Sequence, residues 1–312
     1  MNGRRPAILV PVYNDWASLQ RLAEGLAALP GIRPRLVVVD DGSSEAGPDL
    51  AALSGTGLGG EILRLRRNVG HQGAIAAGLS HIGAEASEDP TVVMDGDGED
   101  RPENVPALLA ALQEAPVAVA GRARRHAPLG FRLFYRLYGA TFRTLTGRQL
   151  GFGNFCAMTA EALRRLIRMP ELNLHLAATI LRSGLAMRRL PIDRGARYDG
   201  RSKMNFVALT SHGLRSIAVV GETVLTRIVI AAFLVAAAGA LVLAIVLIVK
   251  LLGYASPGWT TTVAGVVLII VAQVAMTGLL GLFVTLRGQR DASDGQAAAQ
   301  SLIDRVERFG GA

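Results

Sequence analysis

Residues 91–100 read Thr-Val-Val-Met-Asp-Gly-Asp-Gly-Glu-Asp, a short apolar run followed by four carboxylates. Like charges this close repel one another unless a cation lies among them. Alternate side chains of an extended segment share one side, so Asp95, Asp97 and Glu99 can face a single point. Carboxylate oxygens suit Mg²⁺ or Mn²⁺. The stretch therefore predicts a divalent-metal site at the end of a buried strand, with a solvated acidic turn as the alternative.

The next carboxylate, Asp100, is assigned a different role. Pro102 and Glu103 follow it in the order typical of a helix N-terminus. The sequence predicts that Asp100 caps a helix running to Glu114.

Short apolar stretches alternate with helical patterns through the first two thirds of the chain. Strands are predicted at 7–12, 36–39, 61–65, 91–94, 117–120, 152–159 and 187–192. This alternation is typical of an α/β fold with a mostly parallel sheet. In such sheets ligands bind beyond the carboxyl ends of the strands. Polar residues follow five of the predicted strands, at Asn14, Asp40, Asp41, Asn68, Asp95, Asp97 and Arg122. We therefore expect these side chains to meet in one site.

Two long uncharged stretches lie in the last third of the chain. No charged residue occurs from Ile228 to Val249 or from Leu251 to Leu286. The first stretch spans about 33 Å as a helix, enough to cross the hydrocarbon core of a bilayer. The pattern predicts a hairpin of two transmembrane helices, at about 226–251 and 262–286. The predicted segments are thus an α/β domain at 1–200, a basic, amphipathic juxtamembrane segment at 201–225, the hairpin at 226–287 and a polar tail at 288–312, with a short helix near 297–308.

The charge around this hairpin predicts its orientation. Arg215 and Arg227 precede it, and Arg287 and Arg290 follow it. The positive-inside rule places such residues in the cytoplasm. We therefore expect an integral membrane protein whose α/β domain and C-terminus are cytoplasmic, in the plasma membrane or, in a bacterium, the inner membrane.

The composition limits the partners. The net charge is +8 at pH 7, and no nucleic-acid-binding motif accompanies it. We expect membrane lipids and phosphorylated substrates as partners, and no nucleic acid. The one cysteine, Cys156, excludes an intrachain disulfide and is interpreted as a packing residue. A divalent metal beside Arg122 suits a diphosphate leaving group, and the hairpin indicates a lipid acceptor.

Several motifs together resemble a known family. They are Pro11 to Asn14, Asp40 to Ser43, Asn68 to His71, Asp95 to Asp97, Gly121 with Arg122, and the basic loop Arg197 to Lys203. This set resembles the family 2 glycosyltransferases, most closely the polyprenyl-phosphate glycosyltransferases such as dolichol-phosphate mannosyltransferase. The resemblance covers roughly residues 7–205, and the hairpin extends it to about 286.

The resemblance implies a GT-A fold, a UDP- or GDP-sugar donor, a divalent metal and inversion at the anomeric carbon. The nucleotide-sugar-binding residues that it implies are Pro11, Tyr13, Asn14, Asp40, Asp41, Asn68, Gly70 and Asp95. Among these, Asp40 and Asp41 are expected at the base and ribose. Asp95, Asp97 and Arg122 are expected to be catalytic, with Arg122 at the diphosphate. Glu99 stands where relatives carry a metal-binding glutamine, so the expected metal ligands are Asp95, Asp97 and Glu99.

The acceptor and its chemistry leave three alternatives. A polyprenyl phosphate is already anionic at neutral pH and needs no general base, and its phosphate is assigned to Arg132, Arg201 and Lys203. A hydroxyl of a lipid-linked saccharide or glycolipid would need a base, which His175 or Glu171 could supply, although both are interpreted as structural residues. His71 is interpreted as a packing or loop residue. A catalytically silent, membrane-anchored nucleotide-sugar-binding protein is the third alternative. Assembly into a homo-oligomer through the membrane helices is a further expectation.

Overall fold

The computed structural model describes residues 5–45, 47–48, 50–122, 143–144, 147, 151–198, 213, 215–254, 258–290 and 295–310. These residues form two compact units. One lies within 1–142, 148–219 and 293–312, and the other within 143–147 and 220–292.

The first unit contains an eight-stranded sheet flanked by helices. The strands are β1 Ala7–Val12, β2 Arg35–Asp40, β3 Gly59–Leu65, β4 Thr91–Val93, β5 Val117–Arg122, β6 Phe152–Met158, β7 Met187–Ile192 and β8 Ile303–Phe309. The helices are α1 Trp16–Ala27, α2 Leu50–Gly55, α3 His71–Ala84, α4 Val105–Ala111, α5 Ala160–Leu166, α6 Leu176–Ser183 and, after the second unit, α9 Gly295–Gln300. The predicted α/β class with a mostly parallel sheet is confirmed.

The strand order is β7-β5-β6-β4-β1-β2-β3-β8. β1 pairs in parallel with β2 and β4, β2 with β3, and β5 with β7. β6 runs antiparallel to β4 and β5, and β8 runs antiparallel to β3. Six strands therefore point the same way and end at one rim of the sheet, which we call the site rim. The other end is called the opposite rim.

Two apolar layers hold the helices against the sheet. Strand residues alternate between them, so that Leu9 and Val37 pack toward α3, α5 and α6, while Ile8 and Leu36 pack toward α1, α2 and α4. Near-continuous apolar strands such as these are expected where both faces of a parallel sheet are covered.

The tail differs from its predicted structure. The expected helix near 297–308 is wrong, because α9 ends at Gln300 and β8 then pairs with β3. In β8, Val306 alternates with the charged residues Arg305 and Glu307. This period-two pattern favours a strand with one polar face, and pairing with β3 satisfies its backbone groups.

The second unit contains two long apolar helices, α7 Gly221–Leu251 and α8 Trp259–Arg290. The segments Gly221–Leu251 and Trp259–Gly281 are long and apolar enough to cross a membrane. Their side chains are mostly exposed within the described residues, as lipid-facing helices require. The two predicted apolar helices are thus present.

Candidate active site

The loops after β1 and β2 are joined at the site rim by Asn14. Its backbone has φ +48°, a left-handed conformation that Asn tolerates better than most residues. The Asn14 Oδ1 accepts hydrogen bonds from the N–H groups of Ser44 and Glu45 at 3.0 and 3.2 Å. The Asn14 N–H donates to Ser43 Oγ at 3.0 Å. Asn14 therefore fixes the shape of this part of the rim.

Asp40 and Asp41 are almost fully buried at the end of β2. Asp40 accepts from the Ser43 N–H at 2.9 Å and pairs with Arg64 at 2.8 Å. Asp41 accepts from the Val69 N–H at 2.7 Å, and burial raises the pKa of its carboxyl. Both carboxylates hold neighbouring loops in this structure, and their contact with base and ribose stays a prediction.

The remaining residues of the predicted nucleotide site lie around these loops. Pro11 is buried in β1, whereas Tyr13 is exposed just beyond it. Asn68 Oδ1 accepts from the Gly70 N–H at 3.1 Å. Gly70 has φ +82°, which favours glycine. The structure thus places Pro11, Tyr13, Asn68 and Gly70 at the same rim as Asn14.

The acidic segment after β4 is folded around Asp100. The Asp95 N–H donates to Asp100 Oδ2 at 2.9 Å. Burial, followed by the charge of Asp95, raises the pKa of Asp100 to about 8. Burial also opposes ionisation of Asp95, but the neighbouring charges of His71 and Arg194 lower its pKa. The structure therefore favours a negative charge on Asp95 and a proton on Asp100.

The predicted helix-capping role of Asp100 is wrong. A 3₁₀ turn at Pro102–Asn104 precedes α4, and Arg101 is its N-terminal flanking residue. The Asp100 carboxylate turns back to the Asp95 backbone instead, which closes the acidic loop upon itself.

A loop after β7 lies along this acidic segment. The Gly195 N–H donates to the Glu99 carbonyl, and the Tyr198 N–H donates to the Asp97 carbonyl, both at 2.8 Å. Gly98 lies against the Tyr198 ring, where a Cβ would be only 2.8 Å from ring carbons. Its φ of +87° is a second reason for glycine at this position.

This loop brings two arginines to the acidic side chains. Arg197 pairs with Asp97 Oδ2 and with Glu99 Oε1, both at 3.0 Å. Arg194 pairs closely with Glu99 Oε2 and reaches Asp95 Oδ2 at 4.0 Å. Both oxygens of Glu99 are therefore engaged by arginine.

Asp95 and Asp97 fit a divalent cation. Asp95 Oδ1 is buried and lies 3.1 Å from His71 Nε2. Asp97 Oδ1 accepts from the Glu99 N–H at 3.0 Å, and burial raises the pKa of the Asp97 carboxyl although Arg197 lies beside it. Four carboxyl groups therefore lie in this loop beside two arginines and one histidine. Carboxylate oxygens are the donors that Mg²⁺ and Mn²⁺ prefer.

Three residues of this site were missed from the sequence. His71 was expected to be a loop or packing residue, yet its Nε2 lies 3.1 Å from Asp95 Oδ1 and 2.9 Å from Asn154 Nδ2. Asn154 comes from the start of β6, and Arg194 from the loop after β7. The signal was available for His71, which directly follows Gly70 at the end of the β3 loop.

Other predicted residues have different outcomes. Arg122 is the last residue of β5, opposite Ile192 of β7, and its side chain lies outside the description. The acceptor-phosphate residues Arg132, Arg201 and Lys203 lie outside the described residues. Cys156 is fully buried in β6, and burial raises the pKa of its thiol to about 12, as expected for a packing residue.

His175 and Glu171 have structural contacts. His175 is buried at the N-terminus of α6, where its Nδ1 accepts from the Ala178 N–H at 3.4 Å. Glu171 lies in a preceding 3₁₀ turn and pairs with Arg182 at 3.0 Å. These contacts agree with the interpretation of both residues as structural.

Comparison with known proteins identifies the family. The model of the family described as "Glycosyl transferase family 2" matches residues 7–167, just over half of the chain. The chain belongs to glycosyl transferase family 2. Family membership and the sheet topology together assign the first unit to the GT-A type, and the protein is a glycosyltransferase.

Full-length relatives of this glycosyltransferase are also found. It is 28% identical to the undecaprenyl-phosphate 4-deoxy-4-formamido-L-arabinose transferase of Enterobacter sp. (strain 638), over 96% of this chain and 93% of that one. It is also 28% identical to the Proteus mirabilis (strain HI4320) protein of the same name, over 89% of this chain and 87% of that one. Both relatives are named for a membrane lipid, which together with the two apolar helices indicates a membrane protein.

Among solved structures, one similar fold is glucosyl-3-phosphoglycerate synthase from Mycobacterium tuberculosis. The structural match covers 71% of this chain and 80% of the synthase chain. The TM-score is 0.49 and the sequence identity is 19%. That protein was crystallised with Mn²⁺, uridine diphosphate and glucosyl-3-phosphoglycerate.

Proposed function

We propose that this glycosyltransferase transfers one sugar from a nucleotide-diphosphate sugar to a polyprenyl phosphate, with inversion at the anomeric carbon. The observation that carries the proposal is similarity, over 96% of the chain including the hairpin, to a transferase named for undecaprenyl phosphate. The acidic site rim supplies the chemistry that such a transfer needs.

The reaction needs little proton transfer. An oxygen of the acceptor phosphate attacks the anomeric carbon, and the bond from that carbon to the nucleoside diphosphate breaks. The second pKa of a phosphate monoester is near 6, so the acceptor is already ionised at neutral pH. The departing diphosphate takes the electron pair, and stabilisation of its charge is the main task of the protein.

Asp95 and Asp97 are the residues that we assign to the metal. A divalent ion there supplies positive charge to the diphosphate. Glu99 is the weaker part of the predicted ligand set, because both its oxygens are paired with Arg194 and Arg197. Those arginines lie beside the same carboxylates and can stabilise diphosphate oxygens, a role that we also propose for Arg122.

The proposal also includes a cytoplasmic orientation of the site rim and segment boundaries at 200, 225 and 287. It assigns the acceptor phosphate to Arg132, Arg201 and Lys203. Arginines on both sides of the hairpin support the orientation. A donor carried on UDP or GDP stays open, and the assay below distinguishes the two.

The test uses the purified full chain, undecaprenyl phosphate, Mn²⁺ or Mg²⁺ and a panel of radiolabelled UDP- and GDP-sugars. We expect a lipid-linked monosaccharide with one donor, and none when the metal is chelated. If no donor of the panel gives a lipid-linked product, the proposal is contradicted and the catalytically silent alternative is favoured.

The rival acceptor, a hydroxyl activated by His175 or Glu171, is tested in the same assay. His175→Asn keeps an N-terminal capping oxygen while removing the imidazole. Glu171→Gln removes the other candidate base. We expect each variant to keep activity within about threefold, whereas loss of a general base costs about 10²-fold or more.

A further inference from the structure

Gln72, the second residue of α3, is almost fully buried beside the site rim. Its Oε1 accepts from the Leu176 N–H at 2.7 Å, and its Nε2 donates to Asn154 Oδ1 at 3.0 Å. Leu176 is the first residue of α6, and the first N–H groups of a helix have no partner within that helix. One side chain of α3 therefore joins the beginning of α6 to β6.

The Leu176 N–H fixes the direction of two amide side chains. A backbone N–H can only donate, so the atom of Gln72 that meets it is the carbonyl oxygen. The NH₂ group of Gln72 then points at Asn154 and meets its carbonyl oxygen. The NH₂ group of Asn154 is left on the other side of that amide. The positions of nitrogen and oxygen in both amides thus follow from one backbone group.

The NH₂ group of Asn154 is turned toward the acidic segment. Its Nδ2 lies 2.9 Å from His71 Nε2, which is itself 3.1 Å from Asp95 Oδ1. Burial opposes ionisation of Asp95, but the charge of His71 and hydrogen bonds from His71 and Asn154 lower the pKa of its carboxyl. A reversed Asn154 amide would place a carbonyl oxygen beside the same carboxylate. The direction of Asn154 therefore decides whether it attracts or repels Asp95.

We propose that Gln72 is a positioning residue for Asp95, because it fixes the direction of Asn154 and thereby holds the Asp95 carboxylate in place for a divalent metal. This inference rests on the metal role of Asp95 in the proposed function. Carboxylates that bind a metal are themselves held by hydrogen bonds, and loss of such a partner typically costs about 10- to 100-fold in metal affinity.

A double-mutant cycle in Mn²⁺ affinity tests this connection in the purified full chain. Asn154→Ala removes the amide that faces Asp95, so it should weaken Mn²⁺ binding at least about tenfold in an electron paramagnetic resonance titration. Gln72→Met keeps a side chain of similar length but removes both hydrogen bonds. It should weaken binding about fivefold or more, because Asn154 is then free to turn. In the double variant, Gln72→Met should add less than about twofold to the effect of Asn154→Ala.

Gln300→Met is the matched control. The Gln300 Nε2 also donates to α3, at the Ser80 carbonyl at 3.1 Å, about 12 Å along the helix from Gln72. Both glutamine substitutions should lower the melting temperature, since each removes a hydrogen bond of α3. Only Gln72→Met should weaken Mn²⁺ binding. A purely structural role of Gln72 would lower the melting temperature and leave the Mn²⁺ affinity unchanged, as in the control.

Mn²⁺ binding in Gln72→Met that equals the wild type or the control would overturn the inference, as would full additivity in the double variant. Asp97→Asn, measured in parallel, separates this inference from the proposed function. If Asp97→Asn binds Mn²⁺ weakly while Gln72→Met binds it normally, the metal site stands and only the role of Gln72 is wrong. If Asp97→Asn binds Mn²⁺ as the wild type does, the proposed metal site is wrong and the role of Gln72 is wrong with it.

Discussion

Both rims of the sheet carry carboxylates beside arginine and histidine, but the pKa of a buried carboxyl group is lowered at one rim and raised at the other. At the opposite rim, Arg35 pairs with both oxygens of Glu85 at 2.8 and 2.6 Å, and His81 contacts Glu61 at 3.2 Å. The hydrogen bond from His81 lowers the pKa of Glu61, although burial acts against it. At the site rim, burial raises the pKa of Asp97 despite an arginine partner.

The comparison shows that distance alone does not identify a metal site. The ligand atoms of Glu61, His81 and Glu85 all lie within 4.8 Å of one another, as a metal site requires. Yet Arg35 already supplies a positive charge there, and the carboxylates are satisfied. At the site rim, the carboxyl groups of Asp95, Asp97, Glu99 and Asp100 lie together and outnumber their two arginine partners. An excess of carboxyl groups over cationic side chains is therefore a better sign of a bound cation than distance alone.

The largest expected effect is a loss of sugar transfer from a substitution at the site rim but not from one at the opposite rim. Asp97→Asn removes a proposed metal ligand and should lower kcat by about 10³-fold, because metal stabilisation of a leaving group is worth several kcal/mol. Glu85→Gln, its matched control at the opposite rim, should keep kcat within about twofold. Sugar transfer to undecaprenyl phosphate measures both. Normal activity of Asp97→Asn would remove the metal from the mechanism.

Metal affinity then tests the division of roles within the site rim. A Mn²⁺ titration followed by electron paramagnetic resonance should show that Asp97→Asn binds Mn²⁺ at least about tenfold more weakly than the wild type. Glu99→Gln should stay within about threefold of wild type, because Glu99 is engaged by Arg194 and Arg197. A tenfold loss in Glu99→Gln would instead identify Glu99 as a metal ligand.

At the opposite rim the expected effect is on stability alone. Arg35→Ala leaves Glu85 and the buried Glu61 without their guanidinium. We expect a loss of roughly 1 kcal/mol, since about a third of the Arg35 and Glu85 side chains is in water. The melting temperature of the detergent-solubilised protein should fall by about 2–4 °C, with Mn²⁺ affinity unchanged. Weakened Mn²⁺ binding would show that the rims are coupled.

A further expected effect is a pH dependence of the stability of the metal-free protein. The pKa of Asp100 is raised from 3.8 to about 8 in the folded state, so the unfolded state loses this proton first. Stability contributed by this group therefore falls as the pH rises from about 4 to about 8. Asp100→Asn should flatten that part of a plot of melting temperature against pH. An unchanged slope would assign it to other carboxyls, such as Asp41.

The sheet was largely predictable because its strands are short apolar runs with turn residues at their ends. β1 begins and ends where predicted, at Ala7 and Val12. The carboxylates at the ends of β2 and β4 were also predictable, since strand direction alone places them at one rim.

What could not be predicted depended on contacts between distant segments. The pairing of Arg194 with Glu99 joins residues 95 positions apart. The β8 strand was missed because its pairing with β3 is even more remote along the chain. Asp100 had a local capping pattern, but tertiary burial gave its carboxylate a different partner.

The position of β8 also has a consequence for biosynthesis. β3 is translated within the first 65 residues, but its partner at 303–309 leaves the ribosome only after both apolar helices. One edge of the sheet therefore stays unpaired while the hairpin is being inserted. An expression fragment that stops before the hairpin would keep that edge open permanently, exposing backbone groups that promote aggregation. A soluble version of the first unit should carry residues 295–310 joined by a linker in place of the hairpin.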